Sequence, residues 1–188
     1  MRSQTKKSDR TRARILDAVE TLTASGPMSD ITMRSIAEEA GCSLGLAYRY
    51  FDTKEDLLGA GLDRAAAYIT DGLGPSHTPE ELVEHAWPRM TERPVFARLF
   101  AWLILEQQDV TAVMTRHPLL ERAVRHAHQD GDPDPVVAAT ALGAILLGGS
   151  FFAPAITNAA RGEPDSPELK NRLTHAAVAT QLPPPRRP

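Results

Sequence analysis

The sequence predicts an all-α protein. Its expected parts are a small helical head at residues 1–53, a longer helical bundle at 54–182 and a disordered tail at 183–188. Three observations carry this. Apolar residues in the first seventy positions recur at helical spacing, as in Ile15, Leu16, Val19 and Leu22. Beyond Gly74-Pro75 no segment reads as a strand. Helix starts recur there with one device: Thr78-Pro79, Arg93-Pro94, His117-Pro118, Asp134-Pro135 and Ser166-Pro167 each offer Pro at a first helical position, where its missing N–H costs nothing.

In chain order, residues 9–25 form the first expected helix, ended by Gly26-Pro27. Thr32 caps a short second helix whose Ile36, Ala37 and Ala40 share one face. Gly41 supplies the left-handed residue that ends it, and Cys42 sits in the turn. Ser43 caps a third helix, Leu44 to about Tyr50. Two short helices joined by a three- to four-residue turn with Gly make a helix-turn-helix, here spanning 32–51, whose second helix enters the DNA major groove.

The third helix has the composition for that task. Ala47 and Phe51, four apart, can face the second helix. Leu44, Gly45, Leu46, Tyr48, Arg49 and Tyr50 then point outward, and an outward face so rich in Leu and Tyr marks a contact surface. Arg pairs with guanine O6 and N7, Leu meets a thymine methyl, and Tyr hydroxyls reach phosphates. Gly45 lets backbone approach a duplex closely.

Residues 32–56 resemble the DNA-binding signature of the tetracycline-repressor-like (TetR) family of transcription regulators. The resemblance rests on Thr32, Ile36-Ala37, Gly41-Cys42-Ser43, Tyr48-Arg49-Tyr50-Phe51 and Lys54-Glu55-Asp56-Leu57. The sequence departs from the family pattern at Leu44, Ala47 and Cys42. The resemblance implies DNA contact by Arg34, Ser43, Leu44, Gly45, Leu46, Tyr48, Arg49, Tyr50 and Lys54. It also implies a C-terminal domain that binds a small-molecule effector and dimerises.

Charge distribution agrees. The chain of 188 residues carries a net charge of −3, yet residues 1–54 balance to +2 and the remainder to −5. Arg2, Lys6, Lys7, Arg10, Arg12 and Arg14 form a basic arm over 1–14, which reads either as a solvated tail or as a source of counterion-release affinity. The single Cys permits no intrachain disulfide, and Asp17 and Glu20 break the first apolar run, so no secretory leader is expected and a cytoplasmic location is.

Thr53 and Asp56 form a capping box for a helix at about 54–71, with Lys54 unfavourably placed for the helix dipole and so suited to a phosphate. Further helices are expected near 79–91, 94–107, 118–129, 135–160 and 167–181, with a turn at 109–115. The tail from Pro183 to Pro188 cannot continue a helix. The uncharged 136–156 segment is long enough to span a membrane, but its Ala and Gly content, Pro154 and lack of an aromatic belt favour a core or interface helix. Its Ala138, Ala141, Ile145, Gly148 and Phe152 stripe is the expected dimer interface, matching by position the last two helices that pair in the family.

Catalytic signatures are missing: no G-x-S-x-G, H-E-x-x-H, P-loop or strand-linked G-x-G-x-x-G. His126 and His128, two apart on a helix, point in different directions and make no metal pair, so neither metal nor cofactor is expected. Large apolar groups concentrate between 82 and 120. Trp87, Met90, Phe96, Phe100, Trp102, Leu103 and Met114 read individually as core, and together as walls of an effector pocket with Glu106 and His117, and further His85, Arg93 and Gln107, as polar fixtures. The expectation is a homodimeric, ligand-responsive repressor on double-stranded operator DNA. The alternatives are a ligand-binding or adaptor protein of the same fold that ignores DNA, and a membrane-associated helical protein built on 136–156.

Overall fold

The computed structural model describes residues 2–74, 77–114 and 117–159, all helical or irregular. In chain order the helices are α1 (Arg2–Ser25), α2 (Met33–Glu39), α3 (Leu44–Tyr50), α4 (Lys54–Thr70), α5 (Pro79–Glu92), α6 (Val95–Leu105), α7 (Val110–Val113), α8 (Pro118–Gln129) and α9 (Pro135–Ala159). A single 3-10 turn, Met28–Asp30, lies between α1 and α2. The expected helix at 167–181 and the tail at 183–188 lie outside the described residues.

The starts follow local chemistry. Thr78 Oγ1 accepts from the Glu81 amide at 3.2 Å while Glu81 Oε2 accepts from the Thr78 amide at 2.9 Å, a closed capping box with Pro79 at the first position. Asp134 Oδ1 caps α9 through the Val137 amide, at 3.2 Å. His117 makes no side-chain cap for α8; Glu121 instead accepts from the His117 amide at 3.2 Å.

Helices α1 and α6 depart from the sequence expectation. Helix α1 begins at Arg2 and not at residue 9, because residues 2–8 contain no Gly or Pro and continue the ladder of the following turn. Helix α6 begins at Val95, one residue after Pro94, and stops at Leu105 because Gln107 turns left-handed (φ 55°). Its stop is a Schellman closure: the Gln108 amide bonds the Leu103 carbonyl at 2.9 Å and the Gln107 amide bonds that of Ile104 at 3.0 Å.

The chain divides into two compact units, residues 1–65 with 98–116, and residues 66–97 with 117–188. The first has a core of Ile15, Leu16 and Val19 from α1, Ile36 and Ala37 from α2, Ala47 and Phe51 around α3, and Leu57, Leu58 and Leu62 from α4, joined by Leu99, Leu103 and Met114. Arg64 ties α4 to α1 through Asp17 at 2.6 Å and Glu20 at 2.7 Å. In the second unit α9 packs along α8 and α5. Leu82, Val83, Ala86, Trp87, Met90, Ala123, Ala139, Leu142 and Leu146 fill its core, with Ile69.

Helix α9 buries only one side. Its window from Pro135 to Phe152 is long and apolar enough to cross a membrane, and 22% of that window is buried within the chain. Val137, Phe151, Phe152 and Ile156 are exposed, as are Ala141 and Ala144. The open face therefore runs through Ala141 and Phe152 and past Gly148, which is half-buried but has nothing in its Cβ direction, while Ala138 is half-buried and Ile145 leans onto the second unit's core.

Candidate nucleic-acid interface

The interface is assembled by caps. The Ser35 amide donates to Thr32 Oγ1 at 3.0 Å and the Thr32 amide to Ser35 Oγ at 2.9 Å, so α2 opens on a reciprocal box formed with Ser35. At the far end Gly41 has φ 60°; its amide bonds the Glu38 carbonyl at 3.0 Å and the Cys42 amide bonds Ala37 at 2.9 Å. This is a complete Schellman stop, and glycine is the residue that takes the left-handed position without strain. Ser43 Oγ then accepts from the Leu46 amide at 3.2 Å and opens α3.

The register of α3 follows. Ala47 and Phe51 are buried, as the four-residue spacing requires. Ser43, Gly45, Tyr48 and Arg49 are exposed, Tyr48 at 46%, and Leu44, Leu46 and Tyr50 are half-buried at the rim. A Cβ built at Gly45 meets nothing within 4 Å, so nothing inside the chain requires glycine there. Arg34 is exposed on α2. Arg49 and Tyr48, with half-buried Leu44 and Leu46 beside them, thus line the outer side of a short helix and offer donors and methyl groups suited to phosphates and base edges.

Three side chains have roles that sequence reasoning missed. Arg14, counted in the basic arm, donates through Nη2 to the carbonyls of Ala40 and of Gly41, the latter at 3.0 Å, and so braces the turn between α2 and α3 from α1. Arg12 lies 5.2 Å from the Phe51 ring centroid, a cation–π contact at the end of α3. Trp102 lies under Lys54, whose Nζ is 4.6 Å from its ring centroid. The signal for the first was present: an Arg on the helix that packs against a C-cap Gly has two carbonyls to bond. The side chains of Arg2, Lys6 and Lys7 lie outside the described residues.

The nine residues expected to line an effector pocket do not share one unit. Trp87, Met90, Phe96 and His117 belong to the second, whereas Phe100, Trp102, Leu103, Glu106 and Met114 belong to the first. Leu103 and Met114 are buried in that first core, Glu106 is exposed, and Trp102 lies against Lys54. The concentration of apolar residues along the sequence reflected two cores. In the second unit Trp87 Nε1, His85 Nε2 and His77 Nδ1 are buried without a hydrogen-bond partner among the described residues. Burial pushes the His85 imidazole below its ordinary value, helped by the Arg89 charge and His77 and opposed by the Asp71 backbone and carboxylate. Among the described residues no cluster of His, Cys, Asp and Glu has metal-binding geometry, and His126 instead faces Asp130 at 3.1 Å.

Comparison with known proteins agrees with this head. Residues 15–60 match the family of bacterial regulatory proteins, tetR family. The chain is 31% identical over 151 residues to the HTH-type transcriptional repressor Rv3405c of Mycobacterium tuberculosis H37Rv, covering 78% of this chain and 76% of that protein. It is also 31% identical over 150 residues to the HTH-type transcriptional repressor KstR of Rhodococcus jostii RHA1; that match covers 78% of this chain, and the chain spans only 60% of KstR. Its fold is shared with a TetR-family regulator of Haemophilus influenzae (TM-score 0.63, 15% identity, 92% of this chain and 97% of that one). A second TetR-family structure, from Marinobacter aquaeolei VT8, matches at TM-score 0.65 and 18% identity, over 95% and 97% of the two chains. The fold and the capped, outward-facing α3 define a helix-turn-helix transcription regulator. The chain belongs to the TetR family.

Proposed function

We propose that the chain is a ligand-responsive repressor that binds a pseudo-palindromic operator as a cytoplasmic homodimer. The observation that carries this is the face of α3, where Arg49, Tyr48 and Gly45 point away from a core that Ala47 and Phe51 complete. Two such helices related by a two-fold axis read half-sites about one helical turn apart. Arg34, Ser43, Tyr50 and Lys54 serve phosphates at the rim, and the N-terminal basic residues add counterion release. The functional division places DNA reading in 1–53 and effector binding with dimerisation in 54–182. The named repressors among its relatives favour this reading over a fold-mate that ignores DNA.

Dimerisation is assigned to the open face of α9. An uncharged stripe of Ala141, Gly148 and Phe152 is flanked by exposed Val137, Phe151 and Ile156, and large apolar side chains grouped on one open face mark a contact surface. Small residues at its centre let a second helix come close. The effector is assigned to the second unit, beside Trp87, Met90, Phe96 and His117. Support comes from the buried Trp87 indole N–H and the buried nitrogens of His85 and His77, which lack hydrogen-bond partners among the described residues and so suit a ligand with polar atoms. An effector acts by favouring a dimer whose reading heads are wrongly spaced, in proportion to its preference for that shape.

Light scattering combined with footprinting tests the reading. A dimer protecting two half-sites related by symmetry is the expected result. A monomer that protects no segment, or a dimer without preference among sequences, would refute it.

A further inference from the structure

We propose that Trp102 is a positioning residue for DNA binding, which holds the Lys54 ammonium at the start of α4 where it meets a backbone phosphate. The inference rests on the reading of Lys54 as a phosphate contact. Lys54 is the first residue of α4, three positions after Phe51 closes α3. A cation at a helix N-terminus opposes the dipole, so the position gains nothing from its own helix. In the same turn Asp56 Oδ2 accepts from the Thr53 amide at 3.1 Å, and Thr53 Oγ1 accepts from the Asp56 amide at 3.0 Å. That carboxylate serves the cap.

What Lys54 does have is the face of an indole 48 positions away in sequence. Its Nζ stands 4.6 Å from the Trp102 centroid, inside the range of a cation–π attraction, and both side chains are half-buried. An unrestrained lysine has four flexible carbons and loses rotamer freedom when it docks on a phosphate. A ring that already confines the stem removes part of that cost before DNA arrives. The ring takes one side of the ammonium; an ammonium has three N–H donors, so the outer side keeps donors for a phosphate oxygen. Trp102 comes from α6, so the reach of Lys54 depends on α6 holding its place against the start of α4.

The test measures binding to a random-sequence duplex across a salt series for Lys54→Ala, Trp102→Leu, Trp102→Tyr and the double variant Lys54→Ala/Trp102→Leu. Lys54→Ala is expected to weaken binding and to lower the salt slope by about one. Trp102→Leu is expected to weaken binding about three-fold, Trp102→Tyr to restore most of it, and Trp102→Leu to have no further effect once Lys54 is Ala. If Lys54→Ala leaves affinity and slope unchanged, the phosphate reading of Lys54 itself falls. If that variant behaves as expected but Trp102→Leu binds equally well or more tightly, or weakens the Lys54→Ala protein by the same factor, Lys54 stands and the positioning role is wrong. A second readout covers loss of folding on removal of the indole. In 5-fluorotryptophan-labelled protein the chain's two tryptophans give two fluorine resonances. Lys54→Ala and added duplex should each shift one of them, and a Trp102 resonance insensitive to both would overturn the proposal.

Discussion

The Trp87 indole occupies the notch left by Gly149: a Cβ built on that glycine falls inside the ring's van der Waals envelope. The next residue back, Gly148, has nothing within 4 Å of the same hypothetical atom. Two adjacent glycines of α9 therefore do different jobs, one letting α5 approach within the chain and one leaving the outer face bare.

Substitution separates them. Gly149→Ala should destabilise the protein by about 1–3 kcal/mol through overpacking against Trp87. Gly148→Leu should leave thermal stability of the single chain intact, since leucine is the better helix former, yet block close helix approach and abolish the dimer. Calorimetry and light scattering on the two variants read this directly. A Gly148→Leu protein that keeps its dimer mass contradicts the interface.

By sequence Arg14 belongs to a basic arm, and the fold gives it the turn between α2 and α3 instead. Arg14→Ala should cost about 1 kcal/mol of stability, the net worth of charge-assisted bonds in a partly exposed setting. It should also weaken binding to every DNA sequence, since α3 loses the brace on the turn that sets it. Denaturant unfolding together with titrations of two unrelated duplexes checks it; a loss confined to one sequence would mean that Arg14 reads bases.

Gly45 is the converse case. With no internal neighbour to meet, Gly45→Ala should raise stability by up to about 1 kcal/mol while weakening operator binding, because the new methyl projects toward the duplex. Unchanged DNA affinity would remove the argument that a close backbone approach needs glycine at this position.

The shifted imidazole of His85 gives a pH dependence with a definite sign. Its folded pKa lies below the ordinary 6.5, chiefly because burial penalises the cation. Below about that value the unfolded chain takes up the proton more readily than the folded one. The contribution is therefore fully present above the unfolded pKa and is lost as pH falls through the depressed folded value. His85→Gln should flatten the fall in melting temperature between neutral and mildly acidic pH, and an unaltered profile would place the sensitive group elsewhere.

The head was legible in the sequence because its determinants are local. Thr32, Gly41 and Ser43 act within four residues of themselves, and the Ala47–Phe51 spacing sets the register of α3. The proline-started helices α5, α8 and α9 were legible for the same reason. What was not legible depends on distant partners. Trp102 reads as one more large apolar group until α6 sets it beneath Lys54, and Arg14 reads as one more charge until Ala40 and Gly41 present their carbonyls. The run of apolar residues from 82 to 120 carries no mark showing that it supplies two separate cores.

The central claim is that the exposed face of α3 reads base edges. Selecting duplex fragments from a random pool with the purified protein, in parallel with its Arg49→Ala variant, tests it most directly. The account predicts that the native protein enriches an inverted repeat with half-sites about one helical turn apart, and that Arg49→Ala loses about 1–3 kcal/mol and relaxes the preference for a guanine in each half-site. Enrichment of no motif by the native protein, or of an identical motif with equal affinity by the variant, would contradict it.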